Sequence, residues 1–284
     1  MRDGKEMKRT LTADSGGSLF ELVGTDFTAV PMVITLDEKH ITDAKDLDIP
    51  DFIAHMYAAD TSSTACPSAG LWEESFKDAD EAFAVTISSG LSGSYNAAMM
   101  GKDLYEEAHP DRKVLIVDSL SAGPEQRLIT EKLAELMKSD MSFEEIEKTI
   151  KQYRKHTHIL FSLQSFTNFA KNGRINPVIA KTAQMLGIRV IATGNDQGKI
   201  DIDRTVHGAK RMLSVMFDEM KKTGFNGKRV IIGHCQNPDG ANAIKDKILN
   251  EFPFCNIIVQ TLDGLCSYYA EKGGLLVGFE DSEA

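Results

Sequence analysis

The chain has 284 residues, of which 42% are hydrophobic and 26% are charged, a composition typical of globular proteins and long enough for two domains. Its formal net charge of −10 at pH 7 argues against nucleic acid or an anionic membrane surface as a partner, because the overall field repels polyanions. The N-terminal "MRDGKEMKRTL" lacks the apolar core of a signal peptide, and no apolar run approaches the ~18 residues of a membrane span. We therefore expect a cytoplasmic protein with a flexible tail over residues 1–7.

The cysteines are scattered and do not form a CxxC pair or any Cys/His spacing that is typical of a metal site. They are Cys66, Cys235, Cys255 and Cys266. We expect reduced thiols and no bound metal.

Short apolar runs alternate with amphipathic stretches in the first half of the chain, which predicts strands joined by crossover helices in a largely parallel sheet. The predicted strands are 9–13, 28–36, 82–87 and 113–118. The predicted helices lie near 50–59, 69–78, 93–108, 122–138 and 142–155. Ser142 and Glu145 form a capping box at the start of the last helix. Together these elements predict an N-terminal α/β domain over residues 8–156.

A second α/β domain is predicted over residues 157–284. Its predicted strands are 158–162, 188–193, 199–203, 229–234, 256–260 and 274–280. Its clearest helix has apolar residues spaced three and four apart, a pattern that predicts a core-facing stripe. The stripe consists of Val206, Ala209, Leu213, Met216, Phe217 and Met220.

The segment "TISSGLSGSYNAA", residues 86–98, runs from a predicted strand through a serine- and glycine-rich turn into a helix. In a parallel sheet such a turn faces the ligand crevice, and a helix N-terminus with hydroxyl donors suits a small anion. The turn has no P-loop lysine, which argues against a nucleotide triphosphate. It also misses the last glycine of the hydrolase motif G-x-S-x-G, so Ser92 as a nucleophile and a purely structural turn both stay open.

Three further turns are rich in hydroxyl groups. They are "TSSTACPSAG" (61–70), "VDSLSAGPEQ" (117–126) and "ADSGGS" (13–18). The first places Ser68 as a helix cap and leaves Thr64 free in a loop. We expect the four turns to converge on one crevice, where neutral donors could bind a carboxylate.

These motifs, together with "KNGRI", resemble the DegV family of bacterial fatty-acid-binding proteins, in order from about Lys8 to Phe279. The resemblance implies a two-domain α/β DegV-like fold, with an N-terminal Rossmann-like sheet and a C-terminal domain whose sheet is mixed. It also implies a non-enzymatic protein that holds one long-chain fatty acid, with the tail in an apolar tunnel. Members in Gram-positive bacteria can present the acid to a separate fatty-acid kinase, so no cofactor or nucleotide site is expected.

Family motifs transfer to particular residues of this chain. The carboxylate ligands would be Thr64 and Ser92, with Ser89 as a second choice in the same loop. Arg174 in "KNGRI" matches an arginine near the entrance that is implicated in contacting the kinase or the acyl phosphate. Arg204 falls where the family often has another basic residue close to the head group, so the resemblance implies that Arg204, like Arg174 and Tyr269, contacts the head group or a partner.

The chain also departs from the family pattern. The usual TSQPS reads TACPS, so Ala65 and Cys66 replace a hydroxyl and an amide. Near the C-terminus, Tyr269 stands approximately where many members have a histidine beside the carboxylate. A phenol donates a hydrogen bond but carries no positive charge near pH 7, so recognition of the head group is expected to differ.

Two alternatives remain open from the sequence. A serine hydrolase would use Ser92 with His207 or His234, and it requires one of these histidines within hydrogen-bonding reach. A subunit resembling dihydroxyacetone kinases would bind a small ketone, and it predicts a polar cavity rather than an apolar tunnel.

Overall fold

The structure is a computed structural model and describes residues 7–178, 180 and 188–284. In chain order the strands are β1 (Arg9–Asp14), β2 (Phe27–Val30), β3 (Val33–Leu36), β4 (Lys39–Thr42), β5 (Ser62–Ala65), β6 (Glu81–Thr86), β7 (Lys113–Asp118), β8 (Thr157–Leu163), β9 (Ile188–Gly194), β10 (Ile200–His207), β11 (Phe225–His234), β12 (Asn256–Thr261) and β13 (Leu275–Asp281). The helices are α1 (Ile49–Ala58), α2 (Ala69–Phe76), α3 (Ser94–Ala108), α4 (Gly123–Met137), α5 (Phe143–Tyr153), α6 (Thr167–Lys171), α7 (Ala209–Lys222), α8 (Pro238–Glu251) and α9 (Gly264–Ala270). Except for Met7, the predicted tail over residues 1–7 lies outside the described residues.

The first sheet is parallel throughout, with strand order β2-β1-β6-β7. Its central strand β6 is buried along its whole length, as expected when helices cover both faces. Trp72 and Tyr105 of α2 and α3 pack on one face, and Leu133 and Ile146 of α4 and α5 pack on the other. The predicted parallel N-terminal sheet is confirmed.

A small antiparallel sheet, β4-β3-β5, corrects two predictions. The predicted strand 28–36 is wrong, because it splits at Pro31 into β2 of the parallel sheet and β3 of the small one. Proline has no N–H for a strand ladder, which favours a break there. Thr64 was predicted to be free in a loop, but it lies in β5 opposite Ile34.

The third sheet is mixed, with strand order β10-β9-β8-β13-β11-β12. Only the β11–β12 pair is parallel in it. Met216, Phe217 and Met220 of the predicted stripe pack on one face with α8. The prediction is wrong for Ala209, which is exposed at the start of α7. The prediction that Val206 belongs to this helix is wrong. Val206 is a buried residue of β10, where it lies opposite Arg189.

Caps at the helix ends agree with the sequence. Ser142 and Glu145 form both hydrogen bonds of the capping box of α5, and Ser68 accepts from the Leu71 amide at the start of α2. These caps satisfy N–H groups that lack helical partners. Every helix in the described ranges is too short or too polar to cross a membrane.

Helix α4 lies between the parallel and the mixed sheets. It packs on β6 on one side and on β13 and β8 on the other. A Cβ atom at Gly278 of β13 would lie 2.6 Å from the Glu125 nitrogen, so the absence of a side chain there allows the close approach. This packing brings the carboxyl ends of β6 and β7 toward β8 and β9.

Candidate functional site

A cavity of about 310 Å³ lies beyond the carboxyl ends of β6 and β7, between the parallel and mixed sheets. Its walls are mostly aliphatic and aromatic. They include Met32, Leu91, Ile159, Phe161, Phe169 and Leu276. Cavities of this size commonly enclose small organic ligands, and these walls favour an apolar one.

Two hydroxyl groups on the wall bond to each other. Thr64 Oγ1 lies 2.7 Å from the hydroxyl oxygen of Tyr269, and the Tyr269 ring stacks on Phe169 with centroids 4.5 Å apart. Burial raises the pKa of Tyr269, although its hydrogen bond with Thr64 and the nearby charge of Arg174 partly offset that rise. The phenol therefore remains neutral near pH 7 and can donate a hydrogen bond.

Ser92 also lines the cavity, in the loop between β6 and α3. Its Oγ accepts from the Ser94 nitrogen at 3.2 Å, which leaves the hydroxyl proton for a ligand. The loop is anchored to the next turn of the sheet, because the Ser88 nitrogen donates to Ser121 O at 2.7 Å. A short turn held in this way gives Ser92 a defined position.

Arg174 contributes a cationic group to this wall, which Lys199 also lines. Its Nε donates to Leu91 O at 2.9 Å, and its Nη1 donates to Asn172 O. The side chain therefore crosses from the segment after α6 to the loop that holds Ser92. Thr64, Tyr269, Ser92 and Arg174 together form what we term the head-group cluster.

One predicted ligand, Ser89, and one predicted head-group or partner contact, Arg204, lie elsewhere. Ser89 is exposed, and its nitrogen donates to Asp118 Oδ1 at 3.1 Å. Arg204 is exposed on β10 and pairs with Asp203 and Glu219 at 2.6 and 3.0 Å. Neither residue is in the cavity wall formed by the described residues, because the loop turns Ser89 outward and Arg204 points to Glu219 of α7.

The hydroxyl-rich turns contribute unequally. Segments 64–66, 91–93 and 120–122 reach the cavity wall. The turn 13–18 was expected to join them, but none of its residues is in the wall formed by the described part of the chain. That expectation is wrong, because the turn packs behind the serine loop: a Cβ atom at Gly16 would lie 3.0 Å from Ile87 Cβ.

Sequence reasoning missed residues that support the head-group cluster. The hydroxyl of Tyr268 donates to Ser62 Oγ at 2.8 Å and accepts from Asn172 Nδ2 at 2.8 Å. Cys66 lines the cavity with its neighbour Ala65. The departure of TACPS from the family's usual TSQPS could have indicated Cys66 as a site residue. The Tyr268–Asn172 contact joins residues 96 positions apart, so no local sequence pattern could have predicted it.

The geometry does not favour either alternative function. His207 is exposed at the end of β10, and His234 Nδ1 accepts from the Asn237 nitrogen at 3.4 Å. Burial lowers the pKa of His234. Neither histidine is in the described cavity wall with Ser92, and the mostly apolar walls differ from the polar cavity that a small ketone requires. In the described part of the chain, no cluster of three or more His, Cys, Asp or Glu residues could hold a metal ion.

Proteins with similar sequences belong to one family. Residues 11–281 match the model of the DegV family, described as "Uncharacterised protein, DegV family". A DegV domain-containing protein of Streptococcus gordonii is 38% identical over 275 residues, which cover 95% of this chain and 98% of that protein. One from Streptococcus pneumoniae is 36% identical over the same shares.

Solved structures show the same fold. A DegV family protein from Eubacterium eligens, loaded with heptadecanoic acid, is 37% identical and has a TM-score of 0.93, covering 96% of this chain and 100% of that one. The Fatty Acid Kinase B3 protein of Streptococcus pneumoniae, loaded with linoleic acid, is 36% identical and has a TM-score of 0.94, covering 96% and 99%. The family match spans nearly all of the sequence and the fold agrees over the same length, so this chain belongs to the DegV family.

Proposed function

We propose that this protein binds one long-chain fatty acid, with the carboxylate at the head-group cluster and the acyl chain in the apolar cavity. The observation that carries the proposal is the combination of mostly apolar walls with Thr64, Ser92, Tyr269 and Arg174 in one cavity. Hydroxyl and guanidinium groups donate hydrogen bonds to a carboxylate. Ser89 and Arg204 are not part of this proposed site.

The acyl chain supplies most of the expected affinity. Burial of each CH₂ contributes about 0.8 kcal/mol, so ten methylenes contribute about 8 kcal/mol before the entropy cost of binding. A neutral hydrogen bond to the head group adds about 1 kcal/mol. Chain length should therefore govern affinity, while the head-group cluster fixes orientation.

Both predicted domains contribute to the proposed site. We infer that residues 8–156 supply the hydroxyl-bearing turns and residues 157–284 supply much of the acyl cavity. Ser92 and Leu120 belong to the first range, and Ile159 and Leu276 to the second. A boundary near residue 156 coincides with the start of β8.

We further infer that the protein carries a substrate and is not itself an enzyme, and that it presents the carboxylate to a separate fatty-acid kinase. The name of the similar Streptococcus pneumoniae protein, Fatty Acid Kinase B3, supports this role. Arg174 at the head group would face such a partner or the added phosphoryl charge. The proposal requires no cofactor or metal.

Lipid extraction tests the binding proposal. Purified protein is extracted with organic solvent and analysed by mass spectrometry, then delipidated and titrated with palmitic and oleic acids. We expect about one fatty acid per chain. Ala122 lines the cavity, so the larger side chain of Ala122→Phe should occupy it and abolish uptake of the acid. Ala209→Phe, at the exposed start of α7, should not affect uptake. Protein that carries no lipid and takes up no acid would refute the proposal.

A further inference from the structure

The turn 13–18 contains a buried carboxylate with an unusual set of partners. Asp14 has no exposed surface. It accepts hydrogen bonds from the Gly16 nitrogen at 3.2 Å, the Ile87 nitrogen at 3.0 Å, Ser94 Oγ at 2.6 Å and Gln126 Nε2 at 2.8 Å. Burial raises the pKa of Asp14 and these hydrogen bonds partly oppose the rise. All four partners can donate, which suits the ionised carboxylate.

Two of these donors mark the ends of the loop that holds Ser92. Ile87 is the residue before the serine turn, and Ser94 is the first residue of α3 after it. Ser94 in turn donates its backbone N–H to Ser92 Oγ. The side chain of Asp14 therefore binds both ends of the loop. It is linked to Ser92 through Ser94, which bonds to both residues.

The same turn contacts the helix that carries Tyr269. Ser18 Oγ accepts from the Asp263 nitrogen at 2.7 Å, and Gly16 O accepts from Cys266 Sγ at 3.2 Å. Asp263 is the residue just before α9, and Cys266 lies one turn before Tyr269. The turn thus joins the serine half of the head-group cluster to its tyrosine half.

A buried carboxylate is a costly way to hold a fold together. Desolvation of an ion costs several kcal/mol, and replacement of a buried ion pair by well-packed apolar residues is often neutral or stabilising. Strong, directional hydrogen bonds to a charged acceptor do, however, define geometry well. This contrast favours a role in precise placement over a role in stability alone.

We propose that Asp14 is a positioning residue, which sets the relative placement of Ser92 and Tyr269 and thereby the preference of the site for a free carboxylate. The inference rests on the proposed function, since it assumes that the acid binds with its carboxylate at the head-group cluster. It assigns the turn 13–18 a task that does not require contact with the ligand.

Asp14→Asn is the direct test. The substituted amide cannot accept from every donor, because its NH₂ must face the Ile87 nitrogen or the Gln126 amide. We measure the Kd of palmitic acid and of its methyl ester, which has the same tail but no ionised head group. The expected result is at least tenfold weaker binding of the acid with ester binding within twofold of the wild type.

Two variants make the test specific. Glu81→Gln changes another buried acid, on β6 at the opposite end of the sheet and paired with Arg9 at 2.9 Å, and should leave the ratio of the two affinities unchanged. Ser94→Ala removes one donor and keeps the carboxylate, so it should shift the ratio in the same direction by a smaller factor. It also serves if Asp14→Asn does not fold.

The outcomes separate the two proposals. Equal losses for acid and ester, or no loss for either, in both Asp14→Asn and Ser94→Ala would overturn the positioning role while the proposed function stands. A wild-type protein that binds neither compound would overturn the proposed function and this inference with it. Selective loss of the acid in the variants supports both.

Discussion

The phenol of Tyr269 gives the head-group cluster a donor whose charge does not change in the physiological pH range. Its pKa is raised by burial, and an arginine remains protonated at any pH of interest. A histidine in the same place would gain a proton as pH falls toward 6. Head-group recognition in this chain should therefore depend less on pH than it would with a histidine in that place.

Tyr269→Phe tests this residue. The variant keeps the ring that stacks on Phe169 at 4.5 Å and removes only the hydroxyl that bonds to Thr64. We expect acid affinity to fall about five- to tenfold, the equivalent of one hydrogen bond of about 1 kcal/mol, with little change for the methyl ester. Isothermal titration calorimetry at several pH values measures both affinities.

The pH series and a neighbouring variant complete this test. Wild-type affinity should stay level from pH 6 to pH 9, since burial raises the pKa of Tyr269 above its ordinary value of 10. Tyr268→Phe removes a hydroxyl that bonds to Ser62 and Asn172. Because Tyr268 is not in the described cavity wall, this variant should weaken acid binding less than Tyr269→Phe does. A steep change of wild-type affinity between pH 6 and 7 would contradict our account of Tyr269.

At the scale of elements, the turn between β9 and β10 closes over the serine loop. Ser88 Oγ donates to Gly198 O at 2.6 Å. Gly198 has φ +66°, and a Cβ atom there would overlap Ser88 Oγ and lie 3.1 Å from Leu120 Cα. The two turns therefore fit together only when residue 198 has no side chain.

Gly198→Ala should be considerably more harmful than substitution of a glycine with a similar φ and open space around it. Gly173 has φ +71°, close to the +66° of Gly198, and no atom lies within 4 Å of the place that a Cβ atom would take there, so Gly173→Ala costs only the backbone strain of a positive φ. We expect Gly198→Ala to lower the free energy of unfolding by about 2 kcal/mol more, from overpacking. Urea denaturation measures both; equal losses would show that the turns can separate without cost.

The elements also show what sequence patterns can predict. The parallel strands and the capped helices α2 and α5 were predicted because apolar runs and capping residues are patterns among neighbours in the sequence. Strands β4 and β5 were missed because they are short, polar and partly exposed, so their patterns resemble loops. Thr64 was identified through the resemblance, but its contact with Tyr269 spans 205 positions and no local pattern encodes such a distance.

At the scale of the whole molecule, α4 joins the two large sheets. Twelve of its fifteen residues are buried, including polar ones that find partners on the mixed sheet, such as Glu131 with Arg229 of β11. The sequence predicted this helix but not its buried position, because charged residues ordinarily indicate a solvent face. The partners that bury them come from a strand about a hundred residues away.

Glu125 at the start of α4 makes the contact between the sheets sensitive to pH. Its carboxylate accepts from Thr157 Oγ1 of β8 at 2.9 Å. Burial raises its pKa to about 7, against the opposing effects of hydrogen bonds and Arg154. The folded protein thus keeps this proton up to about pH 7, whereas the unfolded chain releases it near pH 4.5. Stability contributed by Glu125 is therefore present at low pH and is lost as pH rises from about 4.5 to 7.

Glu125→Gln removes this titration. A difference of about 2.5 pKa units corresponds to about 3 kcal/mol, so the variant should gain roughly that much relative to wild type between pH 4.5 and pH 8. Glu135→Gln, an exposed acid on the same helix, should give a curve parallel to wild type. Urea denaturation across this range measures all three proteins. Parallel curves for wild type and Glu125→Gln would mean that Glu125 is ionised in the fold, with Arg154 and Thr157 compensating for its burial between the sheets.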